Sequence, residues 1–491
     1  MRNLLVLFFL ISISFVSAQT SVSGNQSGVW SKASSPYIVT GNITVPYGDT
    51  LFVKAGVKIS FSDYFKFTVK GVLLAHGEVS DSILFTNNNH SVGWGGLRFE
   101  NSSGVSVLEF CRLEYGKTAA SAYPDNHGGA AALINTDVKF SHCLFLGNDA
   151  TGDSDGMGGA IYAINAGSDT RFSNSVFMNN HAYGEGGAIK FSAGVKPAID
   201  SCSFIGNNCL YGGGAISFYS TTLPKITNTV FADNYTEYSN GGAVNTLGAG
   251  NTPAFGNCVF YGNEARHGDG GAINLAYAQA TFVNTIIYNN NGMYSDNLNL
   301  DFDGYADIYY SDAALPDGAT GSNNFYADPQ FSDADNLDFS LTPHSPCIDA
   351  GTNIFLVGSD TLVNITNYYG TNPDVGAYEY FPPQGVNNEA PLAFSLKQNY
   401  PNPVSKNSTA NSATIIEYSI PAIANGTERQ SHVSLTVYDL LGREIAELFN
   451  GYQTSGTHKA VFDAKKLPAG IYIYRLQVGK LSATKKMILL K

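Results

Sequence analysis

The sequence predicts an all-β protein in which a parallel β-helix, a solenoid of stacked coils, is followed by a small immunoglobulin-like β-sandwich. Three observations support this prediction. A Gly-Gly-Ala tripeptide recurs six times at steps of 27 to 30 residues, a Phe-x-x-Asn pattern accompanies it, and apolar residues alternate with polar ones in each repeat. A repeat of this length indicates a solenoid, and alternation with period two indicates half-buried strands.

The N-terminal segment of the 491-residue chain has the features of a secretory signal peptide. Arg2 supplies positive charge, residues 4–16 are apolar, and Val16-Ser17-Ala18 is a small-residue cleavage site. The apolar run is short for a membrane span, and no second run of this kind follows. We therefore expect residues 1–18 to be removed and the mature protein to have no transmembrane segment.

Charge is spread unevenly along the chain. From residue 392 onward there are 12 Lys and Arg against 6 Asp and Glu, whereas the preceding residues carry 15 against 34. An acidic body repels phosphate, so we expect no nucleic-acid partner. The change of sign also indicates a domain boundary.

The repeat itself predicts the coil. Strands stacked about 4.8 Å apart place like residues on like residues. Apolar side chains then fill the interior, Asn amides bond each other along the axis, and Gly supplies turn dihedrals closed to other residues. The first glycines are Gly128, Gly158, Gly186, Gly213, Gly241 and Gly270; the apolar column is Phe145, Phe177, Phe204, Phe231, Phe260 and Ile287; the asparagines are Asn148, Asn180, Asn207, Asn234, Asn263 and Asn290.

Three of the six cysteines, Cys143, Cys202 and Cys258, share one inward register, so we expect them to be small buried hydrophobes. In alternate coils they are too far apart for a disulfide. Cys111 can occupy the coil next to Cys143, so a disulfide between these two cysteines stays an alternative. The disulfide status of the six therefore stays undecided by the sequence.

Irregular segments flank the regular repeats. Residues 36–61 alternate like strands, 83–103 form a degenerate coil, and 325–353 lose the period and are predicted to cap the stack. We expect the β-helix and its cap over 19–380, a Pro- and Asn-rich linker over 381–394 and the C-terminal domain over 395–491.

The Gly-Gly-Ala-Ile and Phe-x-x-Asn pairing resembles the repeats of chlamydial-type polymorphic outer-membrane proteins and of right-handed β-helix surface proteins. "SPCIDAG" (345–351) and "DVGAYEY" (374–380) resemble a closing segment of bacterial surface β-helix proteins. The resemblance implies a right-handed parallel β-helix.

The last hundred residues carry "YPNP", "VYDLLGREI", "GIYIYRL" and "KKMILLK" in that order. This order resembles the C-terminal sorting domain of the type IX secretion system, type A, although Val404 stands where that family often has Phe. The resemblance implies passage through the periplasm and across the outer membrane, with secretion machinery as the partner and the cell surface or medium as the destination.

One outward ladder is the predicted binding face. It has hydrogen-bond donors, one aromatic ring and one cation but no carboxylate. Acid-catalysed hydrolysis needs a carboxyl group to protonate the leaving group, so the ladder argues against a hydrolase. No catalytic residue and no metal ligand is assigned. The ladder follows Gly-Gly-Ala-Ile as Tyr162, Lys190, Ser217, Asn245 and Asn274.

The loops that precede each Gly-Gly gather acidic residues and tyrosines at one edge. Asp153 and Asp155 offer the oxygen ligands that Ca²⁺ prefers, but exposed turns of an acidic protein are commonly Asp-rich, so no cofactor is predicted. Tyrosines such as Tyr183, Tyr211 and Tyr238 offer surfaces on which sugar rings can stack.

We therefore expect an exported, adhesin-like β-helix that binds a glycan or another surface without catalysis. The alternative is a β-helix polysaccharide lyase or glycoside hydrolase, which would need a base beside a metal or a pair of carboxylates.

Overall fold

A computed structural model describes residues 19–119, 123–220, 222–382, 394–404, 413–421, 430–440, 442–454, 456–479 and 481–490. Within these ranges the only helical segments are two single 3₁₀ turns, Lys32–Ser34 and Ala334–Asn336. No helix of the described chain is long and apolar enough to cross a membrane. The all-β prediction is confirmed. The predicted signal peptide and most of the predicted linker lie outside the described residues.

Each regular coil contains four strands, and the coil that begins at Ile161 shows the order. Ile161–Ile164 follows Gly-Gly-Ala, Arg171–Ser173 links the two main faces, Val176–Met178 carries the inward Phe, and His181–Ala182 lies on the edge. Every strand pairs in parallel with its counterpart in the next coil. The predicted parallel β-helix is therefore confirmed.

The four kinds of strand build four stacks along the solenoid axis. The glycine sheet contains Phe67–Val69, Leu97–Glu100, Ala131–Ile134, Ile161–Ile164, Ile189–Ser192, Ile216–Tyr219, Val244–Leu247, Ile273–Ala276 and Leu298–Asp301. The phenylalanine sheet contains Thr20–Asn25, Lys58–Phe61, Ile83–Asn87, Cys111–Glu114, Leu144–Leu146, Val176–Met178, Ser203–Ile205, Val230–Ala232, Val259–Tyr261, Ile286–Tyr288 and Asp312–Ala313. Tyr37–Val45 belongs to both.

The two remaining stacks lie between these sheets. The linking sheet contains Gly28–Trp30, Thr50–Lys54, Val72–His76, Ser106–Glu109, Val138–Ser141, Arg171–Ser173, Ala198–Asp200, Lys225–Thr227, Ala254–Gly256, Gln279–Val283, Tyr305–Tyr309 and Thr320–Ser322. The edge sheet contains Asp149–Ala150, His181–Ala182, Asn208–Cys209, Tyr235–Thr236 and Glu264–Ala265.

The two glycines of each Gly-Gly-Ala have different reasons to be glycine. The first has a left-handed backbone, with φ of 69° at Gly186 and 71° at Gly213, where a side chain is strained. The second faces the neighbouring coil, and a methyl group at Gly187 would lie 2.1 Å from the carbonyl oxygen of Gly214. Gly-Gly is therefore required both for the turn and for the close stacking of coils.

The inward phenylalanines form a continuous column of stacked rings. The ring centroids of Phe145 and Phe177 lie 4.5 Å apart, and those of Phe177 and Phe204 lie 4.7 Å apart, with nearly parallel planes. The column continues through Phe231 to Phe260 and is fully buried. Like residues stack on like residues, as the repeat predicts.

The side chains of the asparagine column are buried and hydrogen-bond each other along the axis. The Nδ2 of Asn180 donates to the Oδ1 of Asn207 at 2.9 Å and to the backbone oxygen of Phe145 at 3.1 Å. The backbone N–H of Asn180 donates to that same Oδ1 at 3.0 Å. Each amide therefore satisfies polar groups in adjacent coils, which a buried turn requires.

The cysteines are all buried and none is in a disulfide. Cys111 and Cys143 form no disulfide. The backbone N–H of Cys143 donates to the Oγ of Ser175 in the next coil at 3.0 Å. Burial raises the pKa of the Cys202 and Cys258 thiols to about 12. The expectation that Cys143, Cys202 and Cys258 are buried is confirmed, and the polar Ser175 and Thr229 are buried in the same column.

The predicted cap, residues 325–353, and the segment that follows it cover two sides of the solenoid. The hairpin Phe331–Asp333 and Asp338–Leu341 packs on the phenylalanine sheet, and the hairpin Ile354–Val357 and Asp360–Asn364 packs on the linking sheet at Val283.

The C-terminal domain is a small antiparallel β domain of two sheets around its own core. One sheet contains Ser395–Leu396, Ala413–Ile420 and Gly456–Asp463; the other contains Gln430–Asp439, Glu444–Thr454, Gly470–Val478 and Leu481–Leu489.

The phenylalanine column generates the first prediction. Phe204→Ala removes a fully buried ring and should lower the free energy of unfolding by about 3–5 kcal/mol. Phe302→Ala, at a ring that is 60% exposed, is the matched control and should cost little. The measurement is the denaturant midpoint of each variant, and equal midpoints for Phe204→Ala and wild type would show that the register is wrong.

Candidate binding edge of the solenoid

The five ladder residues lie in one register but are not exposed. Strand pairing aligns Tyr162 with Lys190, Lys190 with Ser217, and Asn245 with Asn274. All five are buried, with exposures from 0% at Ser217 to 6% at Asn245. The prediction of an open face is therefore wrong, and a binding role for Tyr162, Lys190, Ser217, Asn245 and Asn274 stays untested.

The edge loops account for this burial. After each residue of the asparagine column, the chain runs along the edge sheet. It then folds back over the outer side of the glycine sheet before it reaches Gly-Gly. A methyl group at Gly212 would lie 2.7 Å from the Nδ2 of Asn245, which shows how closely the loop covers the ladder. Alternation in sequence identifies the outward side of a strand, but it does not show what covers that side.

The loops bring a carboxylate to the ladder that the sequence pattern did not place there. Glu185 accepts a hydrogen bond from the Nζ of Lys190 and one from the Oγ of Ser217 at 2.7 Å. Lys190 also donates to Ser217 at 3.0 Å. Lys190 and Ser217 are buried within this cluster and Glu185 is partly exposed, so the three polar groups are paired with each other at the base of the loop.

The two ends of the ladder are likewise packed. The rings of Tyr162 and His127 lie 4.5 Å apart, and burial raises the pKa of Tyr162 to about 12. At the other end the Nδ2 of Asn274 donates to Asn245 at 2.9 Å, and Asn299 donates to Asn274 at 2.8 Å. The ladder is thus a second structural stack beneath the loops.

The tips of the same loops carry a row of aromatic rings, which we call the aromatic row: Tyr183, Tyr211, Tyr238 and His267. Successive centroids lie 6.0, 6.3 and 5.9 Å apart along the axis. Tyr211 is 45% and Tyr238 is 58% exposed. Each ring belongs to a different coil, so the row runs parallel to the solenoid axis.

A sequence signal for this row exists. Tyr183, Tyr238 and His267 each precede the first glycine of their Gly-Gly by three residues, and Tyr211 precedes it by two. The one-residue difference breaks the alignment, so the sequence predicts single tyrosines as stacking surfaces but does not predict a row.

Charged groups beside the row are mostly paired. Arg266 donates to Glu237 at 2.9 Å and to Glu264 at 3.1 Å, and its guanidinium lies 3.7 Å from the ring centroid of Tyr235. The Oδ1 of Asp269 accepts from the backbone N–H of Tyr294 at 2.8 Å. Carboxylates outnumber cations at this edge, which gives it a negative potential.

The carboxylates suggested for Ca²⁺ do not form a cluster with a third ligand. Asp153 and Asp155 lie in the first edge loop, where Asp155 is exposed. Across the described ranges no group of three or more His, Cys, Asp or Glu side chains is arranged to hold a metal ion.

The buried Lys190 generates the second prediction. Glu185→Ala leaves the Lys190 charge without its carboxylate, and breaking a buried pair costs about 3–5 kcal/mol; because Glu185 is partly exposed, we expect the lower end. Lys190→Met removes the charge itself and should cost less. Denaturation of both variants and of the double mutant measures this, and an equal loss for the two single variants would contradict it.

Two family comparisons agree with this architecture. Residues 398–490 match the family described as Secretion system C-terminal sorting domain. Residues 174–192, which span one Phe-x-x-Asn and one Gly-Gly-Ala-Ile, match the Chlamydia polymorphic membrane protein repeat. No curated protein and no solved structure matches the chain. The C-terminal domain is therefore a type IX secretion sorting domain, and the chain is a secreted or cell-surface protein built on polymorphic-membrane-protein-like repeats.

Proposed function

We propose that the protein is a surface-binding, adhesin-like β-helix that holds an extended glycan chain on the aromatic row. The observation that carries the proposal is the row itself: four rings from four consecutive coils, close to 6 Å apart, of which Tyr211, Tyr238 and His267 are exposed and Tyr183 is half-buried. Exposed contiguous aromatic surface on a folded protein marks a binding site. Tyrosine provides contact area and a hydroxyl at small cost in side-chain entropy.

The shape of the row favours a linear ligand. Because each coil contributes one ring, a ligand that contacts all four must run along the solenoid axis and present a flat face at each step. Pyranose rings joined in an extended chain present such faces, with hydroxyls at their rims for hydrogen bonding. Asn208, Ser239 and Asn240, which lie within three residues of Tyr211 or Tyr238 in sequence, add polar side chains, and the Oδ1 of Asn240 accepts from the backbone N–H of Asp269.

The charge of the edge favours an uncharged glycan. Glu237, Glu264 and Asp269 surround the row, and Arg266 is engaged by two of these carboxylates. A uronate or sulfated polymer would bring further negative charge to this edge and would be repelled. Neutral glycans avoid that cost.

A polysaccharide lyase or glycoside hydrolase is the second candidate, because Lys190, Glu185 and Ser217 form a compact cluster of the residue types used in catalysis. The burial of Lys190 and Ser217 counts against it, since a reacting polymer must reach such groups. Formation of unsaturated products from uronate polymers with added Ca²⁺, lost in Lys190→Ala, would favour this candidate over binding.

The aromatic row generates the third prediction. Tyr211→Ala and Tyr238→Ala should each weaken binding of neutral polysaccharides about tenfold, as the loss of an aromatic anchor worth about 1–2 kcal/mol does. Calorimetric titration of the purified mature protein against neutral and acidic polysaccharides measures this.

Tyr47→Ala is the matched control, because Tyr47 is 74% exposed and belongs to an N-terminal turn far along the chain from the row. It should bind like the wild type. Equal affinities for all three variants, or no affinity of the wild type for any glycan, would contradict the proposed function.

A further inference from the structure

The outer face of the phenylalanine sheet carries an apolar strip that two other parts of the chain cover. The strip is made of Leu144, Val176, Met178, Ile205, Val230, Val259 and Ile286. Leu337, Phe339 and Leu341 of the cap join its cluster, and so do Ile471 and Ile488 of the sorting domain. The sorting domain thus lies directly on the side of the β-helix.

Ile471 and Ile488 are directed toward the β-helix and away from the core of their own domain. That core contains Ile416, Val433 and Leu476 among others, but neither of these two isoleucines. They lie on the neighbouring strands Gly470–Val478 and Leu481–Leu489, directly opposite each other in the ladder. The outer face of this strand pair is therefore an apolar docking surface that matches the strip.

The docked interface is poorly filled. A cavity of about 350 Å³ lies between the sorting domain and the β-helix, with Leu144, Cys143 and His142 on one side and Ile471, Lys486 and Gln398 on the other. This space is partly open to solvent, and the atoms that line it lack packing partners there. Among the described residues, the backbone N–H of Ser82 donates to the carbonyl oxygen of Leu440 at 2.9 Å, and the Oγ of Ser82 donates to the same oxygen.

A half-buried lysine lies at this interface without a counter-charge among the described residues. Lys486 alternates with Ile488 on the docked strand, and no carboxylate of the described residues lies within ion-pair distance of its Nζ. Burial lowers the pKa of Lys486, and burial together with Lys486 lowers the pKa of His142. Desolvating an unpaired charge opposes association.

We propose that the sorting domain is a removable cover of the β-helix. It docks on the apolar strip through Ile471 and Ile488. The cavity and the unpaired Lys486 keep this contact weak enough for the domain to dissociate. In the docked state the outer face of the strand pair Gly470–Val478 and Leu481–Leu489 lies against the β-helix. A receptor can bind this face only after the domain dissociates. Release in turn uncovers Leu144, Val176, Met178 and Ile205.

The first test disrupts docking in the full-length protein. Ile488→Glu places a charge on the strip without altering the core of the sorting domain. We expect small-angle scattering to show a larger radius of gyration, and binding of a hydrophobic dye to rise several-fold, while circular dichroism of the β domains is retained.

Val461→Glu is the matched control, because Val461 is a β-branched residue of the same domain that is 66% exposed. It should scatter and bind dye like the wild type. Unchanged scattering of Ile488→Glu, or the same response from both variants, would overturn the proposal.

The second test strengthens docking and keeps the proposal falsifiable if Ile488→Glu fails to fold. Lys486→Met replaces the half-buried ammonium with an apolar chain of similar length, whereas Lys485→Met changes an exposed lysine next to it. We expect Lys486→Met to slow protease cleavage within residues 383–393 about tenfold, which corresponds to 1.4 kcal/mol. Equal cleavage rates in the two variants would overturn it.

Discussion

The architecture depends on one close approach between coils, at the second glycine of each Gly-Gly. At Gly187 the nearest atom of the next coil is the carbonyl oxygen of Gly214, and a methyl group placed there would lie 2.1 Å from it. The same relation holds between Gly214 and Gly242, at 2.2 Å, and between Gly242 and Gly271, at 2.0 Å. Consecutive coils can stack in one register only because no side chain stands at this corner.

That register determines the interior and the loops together. With the coils aligned at the corner, Phe177 stacks on Phe204 and Asn180 bonds Asn207 across the same step. The loop before each corner must reach Gly-Gly from the edge sheet, and it therefore crosses the outer side of the glycine sheet. The polar ladder is buried beneath the loops, and the loop tips place Tyr211 and Tyr238 in solvent.

The repeat predicted the sheets, the column of phenylalanine rings and the asparagine column, because each of these depends on residues that recur at fixed offsets. The exposure of Lys190 was predicted wrongly, since what covers it is a loop whose path is set by the corner and not by the strand. Glu185 was not connected with Lys190 for the same reason. The motifs from "YPNP" to "KKMILLK" predicted the sorting domain, but no pattern in them indicates that Ile471 and Ile488 pack against another domain.

The measurement that tests the central claim most directly compares two Gly→Ala variants in the β-helix. Gly187→Ala inserts a methyl group against the backbone of the next coil, whereas a methyl group at Gly104 meets only the Cγ2 methyl of Val72, at 3.1 Å. We expect denaturant unfolding to show a loss of about 1–3 kcal/mol for Gly187→Ala and no such loss for Gly104→Ala. Equal stability of the two variants would contradict the claim that the stacking of coils depends on this corner.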